Sequence, residues 1–67
     1  GHQQELVLLH QMLDELPEVT RYTFILKRIE GLSHTEIAKR LGITVRSSER
    51  HLANAIRHLL KHPGYEQ

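Results

Sequence analysis

Leu6, Leu9, Leu13 and Leu16 recur at intervals of three and four along the first stretch of the chain, with Met12 beside them. That spacing is the apolar stripe of an amphipathic helix and predicts one over residues 4–15. Pro17 cannot continue such a helix but suits the first position of a new one. A second helix is therefore expected, with Tyr22, Ile25, Leu26 and Ile29 on its apolar face and Gly31 as its C′ residue. Glu18 in its first turn and Lys27 and Arg28 near its end complement the helix dipole. Ser33-His34-Thr35-Glu36 then reads as a capping box, in which the Ser side chain accepts from the Glu amide and the Glu side chain reaches back. It opens a short third helix that runs to Leu41 and buries Ile37, Ala38 and Leu41. Gly42 supplies the positive φ of a tight turn, Ile43 fills the space beneath it, and Thr44 caps the next helix. That last helix is long, with Val45, Leu52, Ala55, Ile56 and Leu59 on one stripe. Pro63-Gly64 ends it, leaving Tyr65-Glu66-Gln67 as a tail.

No strand-like alternation, repeat or low-complexity segment interrupts this pattern. The expected fold is all-α: a small four-helix domain containing a helix-turn-helix, with winged elements absent. A chain of 67 residues holds one domain, placed at residues 3–62 with a tail at 63–67. Gly1-His2 resembles the remnant of a cleaved affinity tag.

Composition narrows the chemistry. The chain has no Cys, which removes disulfides, a thiolate nucleophile and a Cys-based zinc site. No apolar run approaches the roughly 20 residues of a membrane span, and no signal-peptide core is present; a cytoplasmic protein without a cofactor is the expectation. The net charge of +1 conceals an asymmetry. Residues 1–36 carry six acids against three bases, whereas residues 37–67 carry six bases (Lys39, Arg40, Arg46, Arg50, Arg57, Lys61) against Glu49 and Glu66. A basic half beside an acidic half is the electrostatic footprint of a polyanion-binding face.

The last two helices supply the motif. Three residues around a Gly join them, and the small Ala38 sits four positions before Gly42, where two helices must cross closely. This is the pattern of a helix-turn-helix, whose second helix enters the DNA major groove. On that helix Arg46, Ser47, Glu49 and Arg50 lie off the apolar stripe. Arg can donate two hydrogen bonds to guanine, Glu can accept from cytosine, and Asn54, one turn on, can pair with adenine. Ser47 and the first-turn amides suit phosphate. Ser48, in mid-helix, is expected to bond a carbonyl one turn back, so that Ser48→Val would raise stability.

At this point the sequence resembles region 4 of sigma factors, in particular the extracytoplasmic-function group of the sigma-70 family. Three pieces carry the resemblance: Leu16-Pro17 with Arg21, the run EGLSHTEIAKRLGI from Glu30 to Ile43, and ERHLANAIRHLL from Glu49 to Leu60. In detail it is most similar to the branch that often governs iron–siderophore uptake. The resemblance implies recognition of the −35 promoter element, docking on the β-subunit flap of RNA polymerase, and an anti-sigma factor as a further partner. By position it implies base reading by Glu49, Arg50, Ala53 and Asn54. Arg46 and Ser47 match its backbone-facing start; Thr44, Lys39, His51 and Arg57 complete the candidate backbone contacts. Two departures stand out: Ser48 where the family usually has an aliphatic residue, and Asn54 where it often has Arg.

The rival readings have less behind them. His58 and His62 share a helix face at the spacing of a zinc-binding pair, but no Cys or adjacent acid completes a ligand set, and Glu66 lies in the tail. Ser47 or Ser48 with His51 lacks the oxyanion site and orienting acid of a hydrolase. The output domain of a response regulator or quorum-type regulator shares the EIA-x-x-L-G core, yet it places one helix before the motif and a dimerising helix after it. A protein-interaction bundle would use Leu6, Leu9 and Leu13 to dock a partner helix.

Overall fold

The structure of the protein, a computed structural model, describes residues 2–62, with side chains from Val7 onward. The Pro63-Gly64 stop, the tail and the Leu6 side chain lie outside the described residues. Four helices follow in order: α1 (His2–Asp14), α2 (Glu18–Phe24), α3 (His34–Leu41) and α4 (Val45–Lys61). Among the described residues there is no strand.

The apolar stripe of α1 delivers Met12 and Leu13 to the interior, followed by Leu16 just beyond the helix. The Leu13 and Leu16 side chains meet Ala55 of α4, and Leu9, Phe24 and Ile25 pack around them. Pro17 stands one position earlier than expected, as the N-cap of α2 (φ −55°, ψ 150°). Its carbonyl accepts from the Arg21 amide at 2.9 Å.

The second helix departs from its expected face. Leu26 is buried and Ile25 half-buried, but Tyr22 and Ile29 are 43% and 62% exposed. Thr20 and Thr23 take the inward positions instead. The Thr23 hydroxyl donates to the Val19 carbonyl at 2.8 Å, so its burial leaves no polar group unpaired. From Ile25 to Ile29 the helix continues as a π-helical turn. The wider i→i+5 step changes the angular position of the residues beyond it and carries Ile29 outward. Gly31 then reverses the chain at φ 77°, while the Leu32 amide donates to the Leu26 carbonyl at 2.9 Å.

The turn into the motif forms as its residues dictate. The Glu36 amide donates to Ser33 Oγ at 3.1 Å, and the Ser33 amide donates to Glu36 Oε1 at 2.9 Å. The backbone donor and the Ser33 hydroxyl hold the Glu36 carboxyl below the usual carboxylate range. Gly42 has φ 68°, and the Ile43 amide closes the turn onto the Ala38 carbonyl at 3.0 Å. Thr44 caps α4 by accepting from the Ser47 amide at 2.9 Å.

The long α4 lies against α2 and α3. Ser48, Ala55 and Leu59 form its buried line, Leu52 and Ile56 are half-buried, and Val45 is exposed. Ser48 corrects an expectation. Its hydroxyl, fully buried, is hydrogen-bonded to His34 Nδ1 of α3 at 2.8 Å, not to a carbonyl one turn back. The sign of the Ser48→Val effect therefore reverses. Valine would deprive the His34 ring of its partner and add volume where no surface is free. The substitution should destabilise the domain by about 1–3 kcal/mol; a melting temperature equal to or above the parent's would contradict this.

Candidate nucleic-acid interface

Successive residues of a helix are about 100° apart, so the buried line of α4 fixes what its outer face presents. Arg46, Arg50, Ala53 and Arg57 fall at i, i+4, i+7 and i+11 on the side away from Ser48 and Ala55, flanked by Glu49 and Asn54. All six are exposed. The structure therefore brings the four expected base-reading residues, Glu49, Arg50, Ala53 and Asn54, onto one accessible surface with two further arginines. The one ion pair of an arginine among the described residues is Arg40 with Glu30 at 3.9 Å, on α3 and the α2 side. Arg46 and Arg50 carry uncompensated charge into solvent. Arg57 is turned along the helix, where Nη1 donates to Asn54 Oδ1 at 3.2 Å. That bond occupies the Asn54 amide oxygen and leaves its NH2 group without a protein partner.

The expected backbone contacts divide. Thr44 and Lys39 are exposed and Ser47 is half-buried at the start of α4. His51 is half-buried, its Nδ1 hydrogen-bonded to the Thr20 hydroxyl of α2 at 2.9 Å. Neither Ser47 nor Ser48 is paired with His51. A Ser–His pair does form, Ser48 with His34, but Ser48 has no exposed surface and so offers no nucleophile to a substrate.

Two groups were not legible in the sequence. His34 sits 14 residues from Ser48, and only the crossing of α3 over α4 joins them. Glu15, which follows α1, reaches both His58 Nε2 (2.9 Å) and His62 Nε2 (3.4 Å) across 43 and 47 residues. The two histidines do meet an acid, which their local sequence could not show. Both rings are bonded to the one carboxylate, and among the described residues no cluster of His, Cys, Asp or Glu is placed to hold a metal ion.

A second surface lies beside the C-terminal half of α4. Leu9, Phe24, Ile56, Leu59 and Leu60 line an open apolar groove of about 320 Å³, with Arg28 at its edge. Its α4 residues, Ile56, Leu59 and Leu60, follow the exposed Arg46, Glu49, Arg50, Ala53 and Asn54 along the helix.

The sequence model of a family described as Sigma-70, region 4 matches residues 6–59. That span takes in α2 and most of α1, the two helices that precede the helix-turn-helix, where the output domain of a response regulator would place one. The ferric citrate uptake sigma factor FecI of Escherichia coli (strain K12) is 40% identical over 57 residues, which cover 85% of this chain and 33% of that protein. The chain thus spans about a third of the length of this relative. No solved structure matches it. Both matches agree with the resemblance carried by Leu16-Pro17, Arg21 and the two runs from Glu30 to Ile43 and from Glu49 to Leu60.

The Glu15 contacts predict a pH dependence. The His58 hydrogen bond, followed by those of His62, holds the Glu15 carboxyl below its ordinary value of 4.5. A carboxyl with a lowered value in the folded state stabilises the fold fully above its ordinary value and loses that contribution as pH falls through the lowered one. Glu15→Gln should therefore lower the melting temperature at pH 7, and the gap should close below pH 4.5. A gap of constant size down to about pH 3 would show that the ionised carboxylate is irrelevant.

Proposed function

Because the chain belongs to the region 4 family of sigma-70 factors, we propose that it recognises the −35 promoter element through α4 and carries a neighbouring surface for RNA polymerase. One observation supports this most directly: Arg46, Glu49, Arg50, Ala53, Asn54 and Arg57 share one exposed face of a helix whose opposite side is locked into the domain. The basic half of the chain attracts the duplex, the start of α4 engages phosphate, and Arg50, Glu49 and Asn54 read base edges. The work is binding, without catalysis, and is assigned to the cytoplasm. None of the described helices is long and apolar enough to cross a membrane.

The pairing of Arg57 with Asn54 refines the base preference. With Oδ1 already accepting from Arg57, Asn54 offers donors more readily than the donor–acceptor pair that adenine requires. The apolar groove is assigned to the flap of the polymerase β-subunit, since an amphipathic helix can lay its apolar face into it. An anti-sigma factor would compete for apolar surface of this kind.

Arg50→Ala should weaken binding to a selected −35 duplex by about 1–3 kcal/mol and relax one promoter position. An equal loss on random duplexes would make Arg50 a phosphate contact. In a second experiment, the labelled domain is titrated with a flap-tip helix peptide and followed by NMR. Saturable shifts should cluster at Leu9, Phe24, Ile56 and Leu60 and spare residues 44–54; no shifts at millimolar peptide would remove the polymerase assignment.

A further inference from the structure

Two side chains on the exposed face of α4 are bonded to each other. Arg57 Nη1 donates to Asn54 Oδ1 at 3.2 Å, about one turn back along the helix. A guanidinium carries N–H donors and no acceptor, so the atom of Asn54 that meets it has to be the amide oxygen. A free asparagine amide offers a donor and an acceptor side by side, the combination that matches the N6 and N7 edge of adenine. With its oxygen engaged, Asn54 keeps only the two N–H donors of its NH2 group, which have no protein partner among the described residues. Both residues are exposed. Among the described residues Arg57 is in no ion pair, so no carboxylate draws its guanidinium away from Asn54.

We propose that Arg57 is a positioning residue that makes Asn54 a donor-only reader and so selects guanine over adenine at one promoter base pair. The proposal rests on the promoter reading above and specifies one base within it. In the major groove guanine presents two acceptors, N7 and O6, whereas adenine presents one acceptor beside a donor and cytosine only a donor. An NH2 group with both hydrogens unpaired meets guanine without setting a donor against a donor. Thymine, with its single O4 acceptor, ranks second. To read adenine through both of its groups, the amide would have to give up Arg57 and turn its oxygen to the N6 amino group. Docking opposes that exchange, because a hydrogen bond from a charged donor strengthens as water leaves its surroundings. Arg57 thus acts on the base through Asn54, whether or not its remaining N–H donors touch the DNA.

The test selects duplexes from a random library with the whole chain, native and substituted at these two exposed positions. Asn54→Ala identifies the base pair concerned, as the position at which sequence preference flattens. At that pair the native chain should favour guanine over adenine by about tenfold, within the range of one good base contact. Arg57→Met removes the donor and frees the amide oxygen, and should bring the guanine-to-adenine ratio at that pair to one or below. Arg57→Lys keeps a donor within reach of Oδ1 and should retain the guanine preference. An arginine that supplied only charge or helix stability would, when lost, weaken all sequences alike and leave the ratio unmoved. A native preference for adenine, a ratio unmoved by Arg57→Met, or no position flattened by Asn54→Ala would overturn the proposal while leaving the promoter reading in place. A native chain that enriches no common site would overturn the promoter reading and this contact together.

Discussion

The arrangement of the helices depends on how closely α4 approaches its supports. Ser48 and Ala55 are both without exposed surface, and both are small. A larger side chain at either position would push α4 outward and change the angle at which its far face is presented. Close approach also decides the interior chemistry. Ser48 brings a hydroxyl into a space that water does not reach, and such a group must find a partner inside the protein. It finds the ring of His34. The same demand joins Thr20 to His51. The helix that faces outward is thus held from within by one small apolar contact and two polar ones.

From that constraint the separation of surfaces follows. With one side of α4 fixed against α2 and α3, the helical repeat leaves Arg46, Arg50, Ala53 and Arg57 no place but the exterior. The C-terminal half of α4 faces a different environment. There Leu59 turns inward while Leu60 and Ile56 border the apolar groove with Leu9 and Phe24. The acidic end of α1 is tied to this half through Glu15, which accepts from or pairs with His58 and His62. One helix therefore exposes charged side chains along its first turns and borders an apolar groove along its last.

Much of the fold was legible in the residues, and the exceptions have identifiable causes. The capping box at Ser33 and Glu36, the left-handed Gly42 and the Thr44 cap are local features, set by residues no more than a few positions apart, and each forms as its sequence specifies. The outward face of α4 is a matter of helical periodicity once the buried stripe is known. The inner face of α2 was not, because apolar periodicity favours Tyr22 and Ile29 over Thr20 and Thr23. Two facts hidden from that pattern reverse the choice: the threonine hydroxyls find partners at Val19 and His51, and a π-helical turn shifts the register after Phe24. The partners of Ser48 and Glu15 were illegible for a simpler reason. They lie 14, 43 and 47 residues away, and only the packing of helices brings them together.

The exposed face of α4, held from behind by small and polar contacts, is the surface proposed to meet promoter DNA. The most direct test is to map amide and side-chain NMR shifts of the labelled domain as it binds a duplex selected from a random library. Perturbations should concentrate at Arg46, Ser47, Glu49, Arg50, Ala53, Asn54 and Arg57, with Ser48, Ala55 and Leu59 little changed. Perturbations centred instead on the groove of Leu9, Phe24 and Leu60, with residues 46–54 unmoved, would contradict it.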